Sequence, residues 1–260
     1  MAGVSLDPRR FLGRGVLRAT THVGRLSFFV FELGRGLGEW REWFRPSMRQ
    51  AQDIGYRSLF IVFITASFAG AVTVLQAGYQ LTAGVPIYFA AGIVVSTIIL
   101  ELGPVLTGLI LAGRIGARFA AELGTMRVTE QVDALETLAY DPNSYLVVPR
   151  VVAATLMFPV VVAIAVAVGV VSGWVTAVNL LDLSTTEFVK GLRLFYQFKD
   201  IWFGLVKAMS FGLAIALIGC YHGLTTRGGA EGVGRETTTA VVRGAEAILV
   251  LDAFWAVVLL

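Results

Sequence analysis

Three long stretches of this chain carry no charged side chain: residues 58–100, 151–181 and 208–226. The hydrocarbon core of a bilayer is about 30 Å thick and takes about 20 apolar residues of helix to cross, so each stretch approaches or exceeds a spanning length. The chain as a whole is 56% hydrophobic and only 15% charged, against about 25% charged in an average soluble domain. A soluble fold cannot hide so much apolar surface. Disulfide scaffolds, disordered chains and soluble nucleic-acid binders are excluded on this ground. The runs are continuous rather than alternating, which predicts an all-α integral membrane protein and not an outer-membrane barrel.

Five transmembrane helices are expected, at about residues 58–78, 87–112, 151–178, 201–223 and 239–260, so that 58–260 forms one membrane domain. The turn-forming Thr82-Ala83-Gly84-Val85-Pro86 separates the first two, and Pro159 is a candidate kink in the third. Residues 1–57 interleave aromatics such as Phe11, Trp40, Trp43 and Phe44 with arginines, in stretches too short to cross. They are expected to lie as interfacial helices on one leaflet. Ser184-Thr185-Thr186-Glu187 has the pattern of a capping box. It opens an expected surface helix over about 184–199, with Phe188, Leu192 and Phe195 at helical spacing.

Basic residues orient the spans. Ten arginines precede the first, four lie in the 113–150 connection and three in 224–243, whereas the other two connections hold only Lys190, Arg193 and Lys199. The N-terminus and the two arginine-bearing loops are therefore expected in the cytoplasm. With five spans the C-terminus lies outside. The arginine-rich N-terminus leads into no apolar core and cleavage site, so no removable signal peptide is expected.

Little covalent chemistry is available. A single cysteine, Cys220, excludes an internal disulfide and a cysteine-built metal site. His22 and His222 have no evident partners, so no catalytic residue and no metal ligand is assigned. Ionisable residues at membrane depth are costly and mark function or pairing. Lys207 and Asp252 lie at matched depth on the fourth and fifth spans and are expected to form an ion pair. Glu101, beside Gly103-Pro104, either faces a cavity or answers backbone groups freed near the proline. Gln76 and Tyr79, near the outer end of the first span, are further cavity candidates. The small pairs Ala66/Gly70 and Gly169/Gly173 permit close helix approach.

The 113–150 connection is the most informative segment. Gly124 and Thr125 punctuate it, and Val128, Val132, Leu135 and Ala139 then share one helical face. Asp141-Pro142 is expected to end that helix. The segment over about 115–139 is thus expected to include an amphipathic helix lying flat beneath the membrane, suited to receiving force from a cytoplasmic partner. A solvated connector is the plainer alternative.

Glu101-Leu102-Gly103-Pro104-Val105-Leu106, Ala112 to Ala117, the run from Ala121 to Glu136 and Val148-Pro149-Arg150 closely resemble the MlaE/YrbE permease family. Gly219 to Gly223, Gly228 to Arg235 and Thr237 to Val242 add to the likeness, which covers roughly residues 45–260. The resemblance implies a permease subunit of an ABC transporter that moves lipids together with MCE (mammalian cell entry) proteins. It implies two copies, identical or related, enclosing a lipid cavity that opens toward a ring of MCE subunits. It places Glu101 and Leu102 beside the substrate path. It also makes the loop after the second span a coupling helix docked in a cytoplasmic ATPase dimer, with Arg118, Glu122, Thr125, Met126, Arg127, Glu130 and Gln131 as candidate contacts. A small STAS-domain protein is a further candidate partner, and the bacterial inner membrane the expected location. ATP and magnesium belong to the ATPase: Gly229 to Gly234 has the glycine spacing of a phosphate loop, but Arg235-Glu236 stands where lysine and a hydroxyl residue are required. No cofactor is expected on this chain. A secondary transporter would need repeated halves with broken helices. An intramembrane enzyme of lipid metabolism would need a nucleophile with a base or a histidine–carboxylate cluster. Neither pattern is visible.

Overall fold

The computed structural model describes residues 40–80, 86 and 88–259, together with the isolated positions Phe29, Leu33, Gly34 and Gly38. The interfacial helices expected over residues 1–39 and most of the turn at 82–86 lie outside the described residues. Among those described, every element is helical. In chain order they are α1 (Trp40–Gln80), α2 (Tyr88–Val128), α3 (Gln131–Thr137), α4 (Asn143–Leu180), α5 (Thr185–Phe195), α6 (Phe198–Leu224) and α7 (Gly229–Leu259).

Among the described residues, four helices are long and apolar enough to cross a membrane: Trp43–Gln80 within α1, then α2, α4 and α6. α7, which holds the expected fifth span, is a continuous helix of 31 residues. It is long enough to cross, but Arg243, Glu246 and Asp252 interrupt its apolar half, so its composition alone does not mark it as a span. α1 also corrects the expected boundary at residue 57, because residues 40–57 continue directly into the first span as one helix.

Small residues set the packing, as expected where apolar burial gives helices little reason to prefer one another over lipid. α1 crosses α4 where Gly70 lies against the Gly169 backbone, so close that a Cβ on Gly70 would overlap the Gly169 carbonyl. The Ser172 hydroxyl donates to the Ser67 carbonyl at 2.6 Å across the same crossing. α6 meets α4 at Gly212, where a Cβ would fall 2.7 Å from the Ala154 carbonyl oxygen, and meets α2 at Gly219 and Gly223. Phe119, Phe158 and Phe211 fill the centre, fully buried.

At the end opposite the arginines, α5 folds onto the first turns of α2. Gly191 sits against the Tyr88 backbone, Phe195 meets Phe89 edge to face at 5.8 Å, and Phe188 is buried. Its start is a complete capping box. The Ser184 hydroxyl accepts from the Glu187 N–H at 3.2 Å, and the Glu187 carboxylate accepts from the Ser184 N–H at 3.0 Å. The helix ends at Phe195, four residues earlier than expected, because Tyr196 and Gln197 turn extended before α6 begins. The Ser184 hydroxyl and backbone N–H, with Lys190 nearby, hold the Glu187 carboxyl below its ordinary range. Its folded value being depressed, the cap's contribution is complete above the ordinary glutamate range and is lost as pH falls through the folded value. Ser184→Ala is expected to speed amide exchange in the first turn of α5 about fivefold. Glu187→Gln is expected to remove the pH dependence of the protection factors at those amides, measured against their intrinsic exchange rates.

Candidate functional site

Among the described residues, the most deeply buried charge is the centre of one cluster. Lys207 of α6 is almost wholly buried, 1% exposed, and its ammonium lies 2.8 Å from Glu101 Oε2 on α2 and 2.5 Å from Asp252 Oδ1 on α7. It also donates to the Leu100 carbonyl at 3.1 Å. Local sequence explains that last contact. Pro104 has no N–H to return to the carbonyl four residues before it, which is that of Leu100. The helix widens into a π turn over Ile98–Leu102 just ahead of the proline. Three helices are thereby tied by one cation, with the two carboxylates partly open and the lysine sealed. Trp255 donates its indole N–H to Ser210 at 2.9 Å one turn along, closing α7 onto α6.

The structure thus brings together Lys207 and Asp252, expected from their matched depth, and adds Glu101 as a second anion. Pairing with a lysine across the bundle leaves no mark in local sequence spacing. Leu102, one residue on, faces away and packs with the cluster of Val74, Ala91 and Ala177. Gln76 and Tyr79 stand exposed on α1.

The arginine-rich end is held by a second network. Arg118 of α2 pairs with Asp53 of α1 and, through Nε, with Glu122 Oε1 at 2.6 Å. Arg57 joins Asp53 at 2.8 Å. Arg150 of α4 reaches Glu122 Oε2 at 3.2 Å and donates to the Leu146 carbonyl at 2.6 Å. Arg118 and Glu122 therefore clamp α1, α2 and α4 together within the chain. Asp53 and Arg150 are the partners that sequence reasoning missed. Arg150 sits in the Val148-Pro149-Arg150 motif, but nothing in its spacing names a partner on α2.

Beyond this clamp the expected flat helix takes a different form. α2 runs unbroken from Tyr88 to Val128, so Thr125 is an interior helical residue whose hydroxyl donates to the Ala121 carbonyl at 2.8 Å, not a cap. The break comes at Thr129 and Glu130, with Glu130 left-handed at φ 61°, and only the seven residues of α3 follow as a separate helix. Arg127 Nη1 bridges the break to Asp133 Oδ1 at 2.5 Å, and Gln131 donates to the Thr129 hydroxyl at 3.0 Å. Of the expected apolar face, Val132 is buried and Leu135 packs against the core, whereas Val128 and Ala139 are exposed. Met126 also packs inward. Asp141-Pro142 opens α4 instead of ending the preceding helix: the Asp141 carboxylate accepts from the backbone of Asn143 and Ser144 at 3.0 and 3.1 Å. A helix-start signal, acid then proline, was legible there. Between α3 and the start of α4 lies a cleft of about 620 Å³ lined by Arg127, Val132, Glu136, Tyr140 and Leu224 among others. His222 does have a partner: its Nδ1 lies 2.9 Å from Glu236 Oε2, joining α6 to α7 at this end.

The arrangement can anchor charge within a bundle and present a strained polar turn beyond it. The sequence profile described as Permease MlaE matches residues 47–258. A probable ABC transporter permease protein of Rickettsia typhi is 40% identical over 245 residues, covering 94% of this chain and 95% of the relative. One from Synechocystis is 43% identical over 215 residues, 81% of this chain and 80% of the relative. Protein TRIGALACTOSYLDIACYLGLYCEROL 1, chloroplastic, of Arabidopsis thaliana is 33% identical over 246 residues, 95% of this chain and 68% of the relative.

Proposed function

This chain belongs to the MlaE permease family, and from that premise we propose that it is the membrane subunit of an ABC transporter that moves lipids. Two copies, identical or related, enclose a mostly apolar cavity for a diacyl lipid and hand it to, or take it from, a ring of MCE-domain subunits. A separate cytoplasmic ATPase dimer, with its own ATP and magnesium, supplies the work, and a small STAS-domain protein accompanies it. The complex sits in the bacterial inner membrane, with α7 as the fifth span, the arginine-rich end cytoplasmic and the C-terminus outside. The lipid name of the Arabidopsis relative supports the substrate class. So does energetics: a lipid tail leaves the bilayer cheaply only while its methylenes stay out of water, at about 0.8 kcal/mol for each one exposed.

One observation carries the mechanism. α2 is a single rod of 41 residues that carries Glu101 along its length and ends at the exposed turn of Thr129 and Glu130. At a rise of about 1.5 Å per residue it spans roughly 60 Å. Closure of the ATPase on that turn and on α3 pushes the rod along or about its axis, and Glu101, tied to Lys207, moves with it. Glu101, with Gln76 and Tyr79 of α1, lines the lipid path in the paired state, while Leu102 packs behind it in the neighbouring apolar cluster. Thr125, Arg127, Glu130 and Gln131 make the ATPase contact, while Arg118, Glu122 and Met126 hold the lever to the bundle.

The test removes side chains and spares the backbone. Asparagine tolerates the left-handed conformation of Glu130. The double variant Arg127→Ala, Glu130→Asn, reconstituted with its ATPase, is expected to insert normally and to lose lipid-stimulated ATP hydrolysis about tenfold. Unchanged stimulation would contradict the coupling role.

A further inference from the structure

A half-enclosed cleft of about 200 Å³ opens between α1 and α2 at the arginine-rich end, lined by Asp53, Arg57, Ser58, Arg114, Arg118 and Phe119 among others. Three guanidinium groups thus face one carboxylate. Asp53 is already held by Arg57 and Arg118, and Glu122 is held by Arg118 and Arg150. Among the described residues Arg114 has only a neutral partner, donating from Nη1 to the Ser58 hydroxyl at 2.8 Å. A partly desolvated excess of guanidinium at a helix junction calls for an anion. The planar fork of arginine matches phosphate oxygens in particular.

Position selects the source of the phosphate. Arg57 and Arg114 each border a charge-free run, so the cleft lies where apolar helix gives way to charged surface. Basic pockets between spans at that level are suited to lipid head groups. Above Arg57 on the same face of α1 come Ile61, Ile64 and Phe68, at i+4, i+7 and i+11, all of them exposed. An anion held by Arg57 and Arg114 therefore has an apolar track along which acyl chains can lie. A free phosphate would make no use of that track.

We propose that the cleft between α1 and α2 binds the phosphate of an anionic lipid from the leaflet at the arginine-rich end. This site is separate from the Lys207 cluster and from the coupling turn. The bound lipid would bridge α1 and α2 beside the Arg118 clamp, so that leaflet composition bears on how firmly the lever is seated.

Native mass spectrometry of the full chain in detergent tests this, with phosphatidylglycerol, phosphatidylcholine and inorganic phosphate as probes. The unaltered chain is expected to retain phosphatidylglycerol about tenfold over phosphatidylcholine. Arg57→Gln with Arg114→Gln should erase that preference. Should the double variant fail to fold, Arg57→Gln alone, at a largely exposed side chain, is expected to reduce it several-fold. An unchanged preference in either variant overturns the site. Displacement of phosphatidylglycerol by equimolar inorganic phosphate overturns its assignment to a lipid. No ATP or ATPase enters the measurement, so failure here and failure of the transport reading are separable.

Discussion

Replacing Lys207 by methionine is expected to abolish transport and to destabilise the bundle by about 3 kcal/mol, the lower end of what removing one partner from a buried charge cluster costs. The reasoning rests on asymmetry. Lys207 is sealed, 1% exposed, and answers both Glu101 and Asp252 as well as the Leu100 carbonyl. Methionine keeps the stem and its packing but leaves two carboxylates facing each other without a cation. The partial exposure of those carboxylates holds the expected cost to the lower end. If the loss comes from stranded charge, neutralising the partners restores folding: Lys207→Met with Glu101→Gln and Asp252→Asn should recover most of the thermal stability lost by the single variant. Transport should remain absent if the charges also act in lipid passage. A stable single variant with full transport would show that the cluster matters to neither.

The second large effect is steric. Gly70→Val is expected to cost about 3 kcal/mol and to lower the yield of folded protein sharply, because the new Cβ would overlap the Gly169 carbonyl where α1 and α4 cross. The neighbour is backbone, which cannot swing aside as a side chain would. Gly113 supplies the contrast. A Cβ there meets nothing within 4 Å, so Gly113→Ala is expected to be neutral or slightly stabilising through its higher helix propensity. Melting curves of the two variants in the same detergent compare them directly. A Gly70 variant as stable as the Gly113 variant would mean that the crossing is looser than its geometry.

How much was legible beforehand follows from the range over which each signal acts. Hydropathy is a local sum, so charge-free runs reported helices of spanning length without knowledge of their neighbours. The capping box at Ser184 was equally local, since its hydrogen bonds run between residues three apart. Helix boundaries read from punctuation fared worse. Gly124 and Thr125 suggested a break that does not occur, because Gly124 is packed against Thr226 of the α6–α7 connection and the Thr125 hydroxyl is satisfied within its own helix. The true break falls at Glu130, a residue with no intrinsic preference for the left-handed region. Lys207 and Asp252 were matched by depth, a quantity that sequence does carry. Glu101 was singled out as a charge at membrane depth, but its pairing with Lys207 was not legible, because its register about the axis of α2, shifted by the π turn at Ile98–Leu102, decides which way it points.

Sequence by itself determined that this chain lives in a membrane, that it is helical, where its helices are apolar and to which family it belongs. Those properties are sums over neighbouring residues, or motifs carried whole along the chain. Tertiary structure alone decided that Lys207 answers two anions, that Arg118 and Glu122 serve as a clamp between helices, and that a ring of guanidinium groups is left short of negative charge. Each of these depends on residues from different helices meeting. Inside a bilayer that meeting is governed by glycine contacts and helix register, to which local hydropathy is blind.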